Sequence, residues 1–163
     1  RVHKDFLVGP EGGAFKTLTS GLELPRAHTA ARSIGCAQGA FEVALQYAQD
    51  RSQFGSPIAK FQDIRFKLAK MATEIEAARQ LLYAVCDKID QGGRCDKEAA
   101  MVKYYAAEMS EKVTSDALQI LGGAGYTHHF SVERCWRDAR LTKIFEGTSE
   151  IQLRIISDQL LGR

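Results

Sequence analysis

Phe61, Ile64, Leu68, Met71, Ile75, Ala78, Leu82, Val85 and Ile89 follow one another in alternating steps of three and four residues. That spacing draws one apolar seam along a helix of about four heptads and demands other helices to cover it. Asp63, Lys67, Lys70, Glu74, Arg79 and Lys88 fall between the seam positions and face away. Gly92-Gly93 ends the helix, and Ser56-Pro57 reads as its N-cap followed by proline at the first helical position. The seam reads as the core of a bundle rather than as a coiled-coil partner site.

The flanking segments repeat the helical period. Over residues 22–50 the apolar positions are Ile34, Ala37, Phe41, Ala44 and Ala48, and Gly35 and Gly39 would admit a close neighbouring helix or ligand. A third helix, capped by Asp96, runs its apolar face through Val102, Ala106, Met109, Val113, Ala117 and Ile120, and stops at Gly122-Gly123-Ala124-Gly125. A short helix follows Ser131 through Val132, Trp136 and Ala139. Thr148-Ser149-Glu150 opens the last helix, with Ser149 and Gln152 spaced as a capping box and Ile151, Ile155, Ile156 and Leu160 as its apolar side. No stretch alternates with period two for long enough to specify a strand. The fold class is therefore all-α, an antiparallel four-helix bundle. Residues 1–20, with the loop cluster Gly9-Pro10-Glu11-Gly12-Gly13, read as the tail of a preceding element; residues 21–163 form the helical domain. Arg1-Val2-His3 is neither a signal peptide nor a natural start, so the chain reads as part of a longer protein.

Charge and composition narrow the function. The 22 basic and 20 acidic side chains are spread along the chain, without the basic block that DNA or RNA binding needs. No apolar run approaches the roughly 20 residues of a membrane span. Cys36, Cys86, Cys95 and Cys135 form no C-x-x-C pair and read as free thiols in a reducing compartment. His128-His129 are adjacent, so they share no helix face and read as a surface turn, not a metal site.

Three segments carry chemistry. Arg51-Ser52-Gln53-Phe54-Gly55-Ser56-Pro57-Ile58, continuing to Phe61-Gln62, combines a cation, an amide, an aromatic plane and a glycine turn beside a helix start, a set that can hold a phosphate. Gln119-Ile120-Leu121-Gly122-Gly123-Ala124-Gly125-Tyr126 has more glycine than a helix end needs, which lets backbone approach a ligand. Phe145-Glu146-Gly147-Thr148-Ser149-Glu150 sets a carboxylate just ahead of a helix start. Apolar burial there would raise its pKa towards neutrality, while the helix start would oppose that. Each also has an ordinary reading: a helix–helix loop with a surface arginine, a C-cap, and a solvated loop glutamate.

Taken together and in order, these segments resemble the acyl-CoA dehydrogenase family over nearly the whole chain. The resemblance rests on Leu22-Glu23-Leu24-Pro25-Arg26, a small-residue helix with Gly35, Ala37 and Gln38, and Arg51-x-x-Phe54-Gly55 with Pro57-Ile58 and Gln62. It continues through Gln119-x-x-Gly122-Gly123-x-Gly125-Tyr126, Arg137-Asp138-Ala139 and Glu146-Gly147-Thr148-Ser149-x-Ile151-Gln152. It implies the C-terminal four-helix domain of a protein that also has an N-terminal helical and a middle β domain, with residues 1–20 a remnant of the approach from the latter.

The resemblance also implies roles. The cofactor is FAD. Arg51, Ser52, Gln53 and Phe54, Phe61 and Gln62, and Gln119, Ile120, Leu121, Gly122 and Gly123 contact its adenosine and pyrophosphate half across a subunit interface. Thr148, Ser149 and Glu150 contact the same subunit's FAD. Glu23 and Arg26 touch the CoA part of the substrate, although the family more often has aspartate at the position of Glu23. Glu146 is the base that removes the α-proton. Some branches carry the base beside Arg26 instead, where this chain has Pro25. Gly147 lets the thioester lie close to the backbone. The reaction implied is acyl-CoA to trans-2-enoyl-CoA, in a homodimer or homotetramer that passes electrons to an electron-transfer flavoprotein, in bacterial cytoplasm or mitochondrial matrix. The isolated segment is expected to turn over little substrate. A non-catalytic oligomerisation bundle and an acyl-CoA oxidase remain the alternatives.

Overall fold

The computed structural model describes residues 1–19 and 22–162, so the expected boundary between 20 and 21 lies outside the described residues. A 3-10 turn at Lys4–Phe6 and helix α1 (Ala14–Thr19) lead in, and neither has a buried residue. Three long helices follow: α2 (Glu23–Asp50), α3 (Gln62–Asp90) and α4 (Asp96–Leu121). Two shorter ones, α5 (Val132–Thr142) and α6 (Ser149–Leu160), close the bundle. The fold is all-α, as the periodicities require.

Helix α4 is the axis of the bundle and touches α2, α3, α5 and α6. Arg26 at the start of α2 meets Asp96 at the start of α4 (3.4 Å), while Tyr47 near the end of α2 packs edge-on to Phe130 beyond the end of α4. So α2 and α4 run parallel, with α3 returning between their ends. α5 runs against α4, because Arg140 meets Glu111 (3.6 Å) and Lys143 meets Glu108 (2.7 Å). The α2–α4 contact is built from alanine: Ala30, Ala37, Ala40, Ala44 and Ala48 against Ala99, Ala106 and Ala117 are fully buried. Residues this small let two helix axes approach closely. The α3 seam supplies the larger side chains, Met71, Ile75, Leu82 and Val85, each contributing about 1.5–3 kcal/mol by burial.

Local details depart from expectation. Ser56-Pro57 does not cap α3. It pairs with Ser52-Gln53 in a two-rung antiparallel ladder, a 3-10 turn spans Ile58–Lys60, and Phe61 is the N-cap. Asp96 is the first residue of α4 rather than its cap, because its carboxylate is taken by Arg26 and Arg94 (2.6 Å). Thr148, not Ser149, caps α6, and its hydroxyl accepts from the Ile151 N–H. Gly35 and Gly39 admit no close neighbour within the chain, since nothing lies within 4 Å of a Cβ added at either. The expected apolar side of α6 is covered only in part: Ile155 and Ile156 are half-buried, whereas Ile151 and Leu160 are exposed. The buried positions of α6 are the polar Ser149 and Gln152.

Candidate functional site

The start of α6 and the starts of α2 and α4 meet at one end of the bundle. Glu146 and Gly147 link α5 to α6 with two consecutive left-handed residues, φ +54° and +89°. Their carbonyls are bonded from inside. Lys103 Nζ donates to the Gly147 carbonyl at 2.6 Å, and Gln152 Nε2 donates to the carbonyls of Gly147 (3.0 Å) and Glu146 (3.3 Å). A Cβ at position 147 would stand 2.5 Å from Gln152 Nε2, so glycine is required there for both its φ and the close approach. The Glu146 side chain does not have the apolar burial that its place after Phe145 could have given it. It is exposed and lines an open groove of about 540 Å³ with Pro25, His28, Ala31 and Arg32. The Arg32 guanidinium lies 4.7 Å over the Phe145 ring.

Beneath this turn the polar groups are committed. Burial pulls Lys103 down to about 8; Glu108 and Glu146 oppose that, Arg26 reinforces it, and Glu150 opposes it. Ser149 is buried with its hydroxyl donating to Glu108 at 2.8 Å, so its side chain points into the domain. Glu150 is exposed and held below the usual carboxylate range by its own backbone N–H at the helix start and by the Thr148 hydroxyl. Arg26 is buried against Asp96, and Glu23 accepts from the Cys95 N–H at 3.3 Å. The Nε of Arg26 and Oε1 of Gln152 are buried without a partner among the described residues.

The other named residues gather at the opposite end. Arg51 closes α2, its N–H bonded to Tyr47 and its carbonyl accepting from Ile58. Phe54 and Gly55, both at positive φ (52° and 80°), make the two-residue turn of the small hairpin. The Phe54 ring is 95% exposed and edge-on to Phe61 at 6.3 Å. Gln62 begins α3 and is exposed, as are Ser52 and Gln53. At the end of α4, Gln119 is exposed, and Gly122 and Gly123 have open space where a Cβ would stand. Ile120 and Leu121 point into the core, so those two residues offer a ligand backbone alone. From Arg32, beside Glu146, to Arg51 the rise along α2 is about 28 Å. One chain therefore does not bring the two groups of residues together.

A family model described as "Acyl-CoA dehydrogenase, C-terminal domain" matches residues 12–161. The chain belongs to the acyl-CoA dehydrogenase family. It is 49% identical, over 96% of its length, to an acyl-CoA dehydrogenase of Bacillus subtilis, 41% of which is covered. It is 42% identical, over 100% of its length, to caffeyl-CoA reductase-Etf complex subunit CarC of Acetobacterium woodii, covering 43% of that protein. The solved structure of butyryl-CoA dehydrogenase from Megasphaera elsdenii matches with a TM-score of 0.95 at 41% identity, over 98% of this chain and 42% of that one. The chain thus spans about two-fifths of the length of the relatives it matches.

In this acyl-CoA dehydrogenase domain, sequence reasoning missed Lys103, Glu108 and Arg32, and gave Gln152 the wrong partner. A signal for Lys103 was present. Ala99, Ala106 and Ser110 stand four before it, three after and seven after, and all three are buried, so the lysine shares a small-residue face. A helix with apolar or small residues on two faces is central, and a lysine on either face is buried.

Proposed function

We propose that this domain supplies the base and part of the FAD site of an enzyme that oxidises an acyl-CoA thioester to a trans-2-enoyl-CoA. The observation that carries the reading is the Glu146–Gly147 turn. Two left-handed residues, bonded from behind by Lys103 and Gln152, hold a carboxylate over an open groove beside α2. An α C–H next to a thioester carbonyl is a weak acid, so removing its proton needs a carboxylate fixed in position and a donor for the developing enolate oxygen. Glu146 is that base, and its backbone N–H is such a donor. Gly147, lacking a side chain, lets the thioester lie against the turn. The CoA portion runs past the start of α2, where engaging Glu23 or Arg26 requires exchanging a present contact with Cys95 or Asp96.

The residues at the far end fit the adenosine and pyrophosphate half of FAD. Arg51 offers charge, Phe54 an exposed ring face, Gln119 an amide, and Gly122 and Gly123 open backbone. Ser52, Gln53, Phe61 and Gln62 border the same surface, and Ile120 and Leu121 contribute backbone. Thr148 and Glu150 serve the flavin nearer Glu146, with Ser149 behind them. The chemistry the cofactor supplies is acceptance, at flavin N5, of the hydride leaving the β-carbon. The separation of about 28 Å along α2 supports two ends that serve different flavins, in a homodimer or homotetramer. Residues 1–20 belong on this reading to the approach from a preceding domain. Onward transfer to an electron-transfer flavoprotein is supported by the name of the Acetobacterium relative. No described helix is long and apolar enough to cross a membrane. A place in bacterial cytoplasm or mitochondrial matrix is supported by the relatives, one from Bacillus subtilis and one named as mitochondrial from Bos taurus.

The test is direct. Glu146→Gln in the full-length enzyme retains flavin and loses its bleaching by acyl-CoA; bleaching at the normal rate refutes the assignment. Arg51→Ala weakens FAD retention, and an unchanged affinity removes that loop from the site. A reductase working in reverse, as the name of CarC suggests for that protein, uses the same carboxyl group as proton donor. Reoxidation of reduced flavin by an enoyl-CoA reads out that direction.

A further inference from the structure

Lys103 is the largest fully buried side chain among the described residues, at 0% exposure. Lysine is almost never buried unless a carboxylate pairs with it. Here no ion pair is formed among the described residues, and the ammonium spends its contact on a backbone carbonyl, that of Gly147, at 2.6 Å. A methionine would fill the same slot without desolvating a charge. The carbonyl it holds belongs to the residue following Glu146, inside a turn of two successive positive φ values that an unsupported chain rarely adopts. Gln152, also fully buried, holds the same carbonyl and the one before it.

We propose that Lys103 is a positioning residue for proton abstraction: it fixes the Glu146–Gly147 turn through the Gly147 carbonyl and so aims the Glu146 carboxylate. The inference rests on the reading of Glu146 as base. The charged groups facing Lys103 are Arg26 from α2, Glu108 on its own helix, Glu146 on the turn and Glu150 at the start of α6. Burial brings Lys103 to about 8, so below that pH the donor to the Gly147 carbonyl is an ammonium. Loss of that bond should show in the rate of proton abstraction rather than in substrate affinity.

Lys103→Met, Lys103→Gln and Glu146→Gln in the full-length, flavin-loaded enzyme test this. The readouts are stopped-flow bleaching of flavin by acyl-CoA, apparent substrate affinity and thermal unfolding. Lys103→Met loses the bond, and its limiting rate falls roughly tenfold to a hundredfold with affinity nearly unchanged. Lys103→Gln keeps an N–H donor on a side chain a bond shorter and recovers part of the limiting rate. A purely structural lysine changes the melting temperature and leaves the limiting rate of the folded enzyme in place. The proposal is overturned if both lysine variants keep the wild-type rate while Glu146→Gln is unreactive. Should Lys103→Met not fold, a wild-type limiting rate in Lys103→Gln overturns it alone. Bleaching by Glu146→Gln at the wild-type rate is the different result that removes the base assignment and the positioning role with it.

Discussion

Replacing Gly147 by alanine should destabilise this chain far more than the same change at another left-handed glycine. At Gly92, which follows α3, φ is +74° and nothing lies within 4 Å of an added Cβ. Alanine there costs about 1–2 kcal/mol, from backbone conformation alone. Gly147 has a similar φ of +89°, but its new Cβ would stand 2.5 Å from Gln152 Nε2 and 3.5 Å from Ile151 Cγ2. The Gln152 amide must move, and it is fully buried while bonding two carbonyls. The Gly147 carbonyl keeps Lys103, so one acceptor, that of Glu146, is left without a donor, and the amide itself must find new partners. Each such buried loss costs about 1–3 kcal/mol. The excess over Gly92→Ala is therefore about 2–6 kcal/mol, which in a chain of this length is a further drop in Tm of about 4–24 °C. Far-UV circular dichroism melts of the wild type and the two variants at one pH measure it. In a Gln152→Ala background the excess should largely vanish, since the atom in the way is gone. Equal drops at the two glycines, or an excess that survives Gln152→Ala, would refute the close-contact account.

Two further outcomes are expected. Lys103 releases its proton near pH 8 when folded and near 10.5 when unfolded, so between those values the unfolded chain holds the extra proton and stability rises with pH. Urea midpoints of the wild type measured against Lys103→Met should diverge over that window by up to about 3 kcal/mol; a constant difference would contradict it. The Cys36 thiol donates to the Cys135 backbone carbonyl at 3.4 Å, which sets the two side chains side by side, and that side-chain contact lowers the Cys135 pKa to about 7 against the pull of burial. Iodoacetamide at pH 8 should label Cys135 before the other three cysteines, and Cys36→Ala should slow that labelling, both read by peptide mass mapping.

Periodicity made the bundle legible. The seam from Met71 to Val85 is the buried side of α3, with Ile64, Leu68 and Ile89 half-buried towards its ends, and every position named from Val102 to Ile120 on α4 is buried, because burial of one helix face depends on spacing rather than on partner identity. Cap chemistry was less legible, since a side chain that can cap can also be claimed from a distance. Asp96 went to Arg26, 70 residues away, and Gln152 turned from its own helix to the Glu146–Gly147 carbonyls. Ser56 failed as a cap for a different reason: Phe54-Gly55 is a tight two-residue turn and pulled Ser56 into a ladder. The positions of the three functional segments were visible in the sequence. Their division between opposite ends of the bundle follows from α2 and α4 running parallel, which the expected antiparallel succession of helices implies but no single segment records.

The length of α2 has a genetic corollary. On the proposed reading, every active centre draws its carboxylate from one polypeptide and its phosphate contacts from another. An oligomer assembled from Glu146→Gln and Arg51→Ala chains would then concentrate both lesions in one centre and leave its twin whole. Co-expression of two defective alleles should restore a fraction of the turnover that neither yields alone.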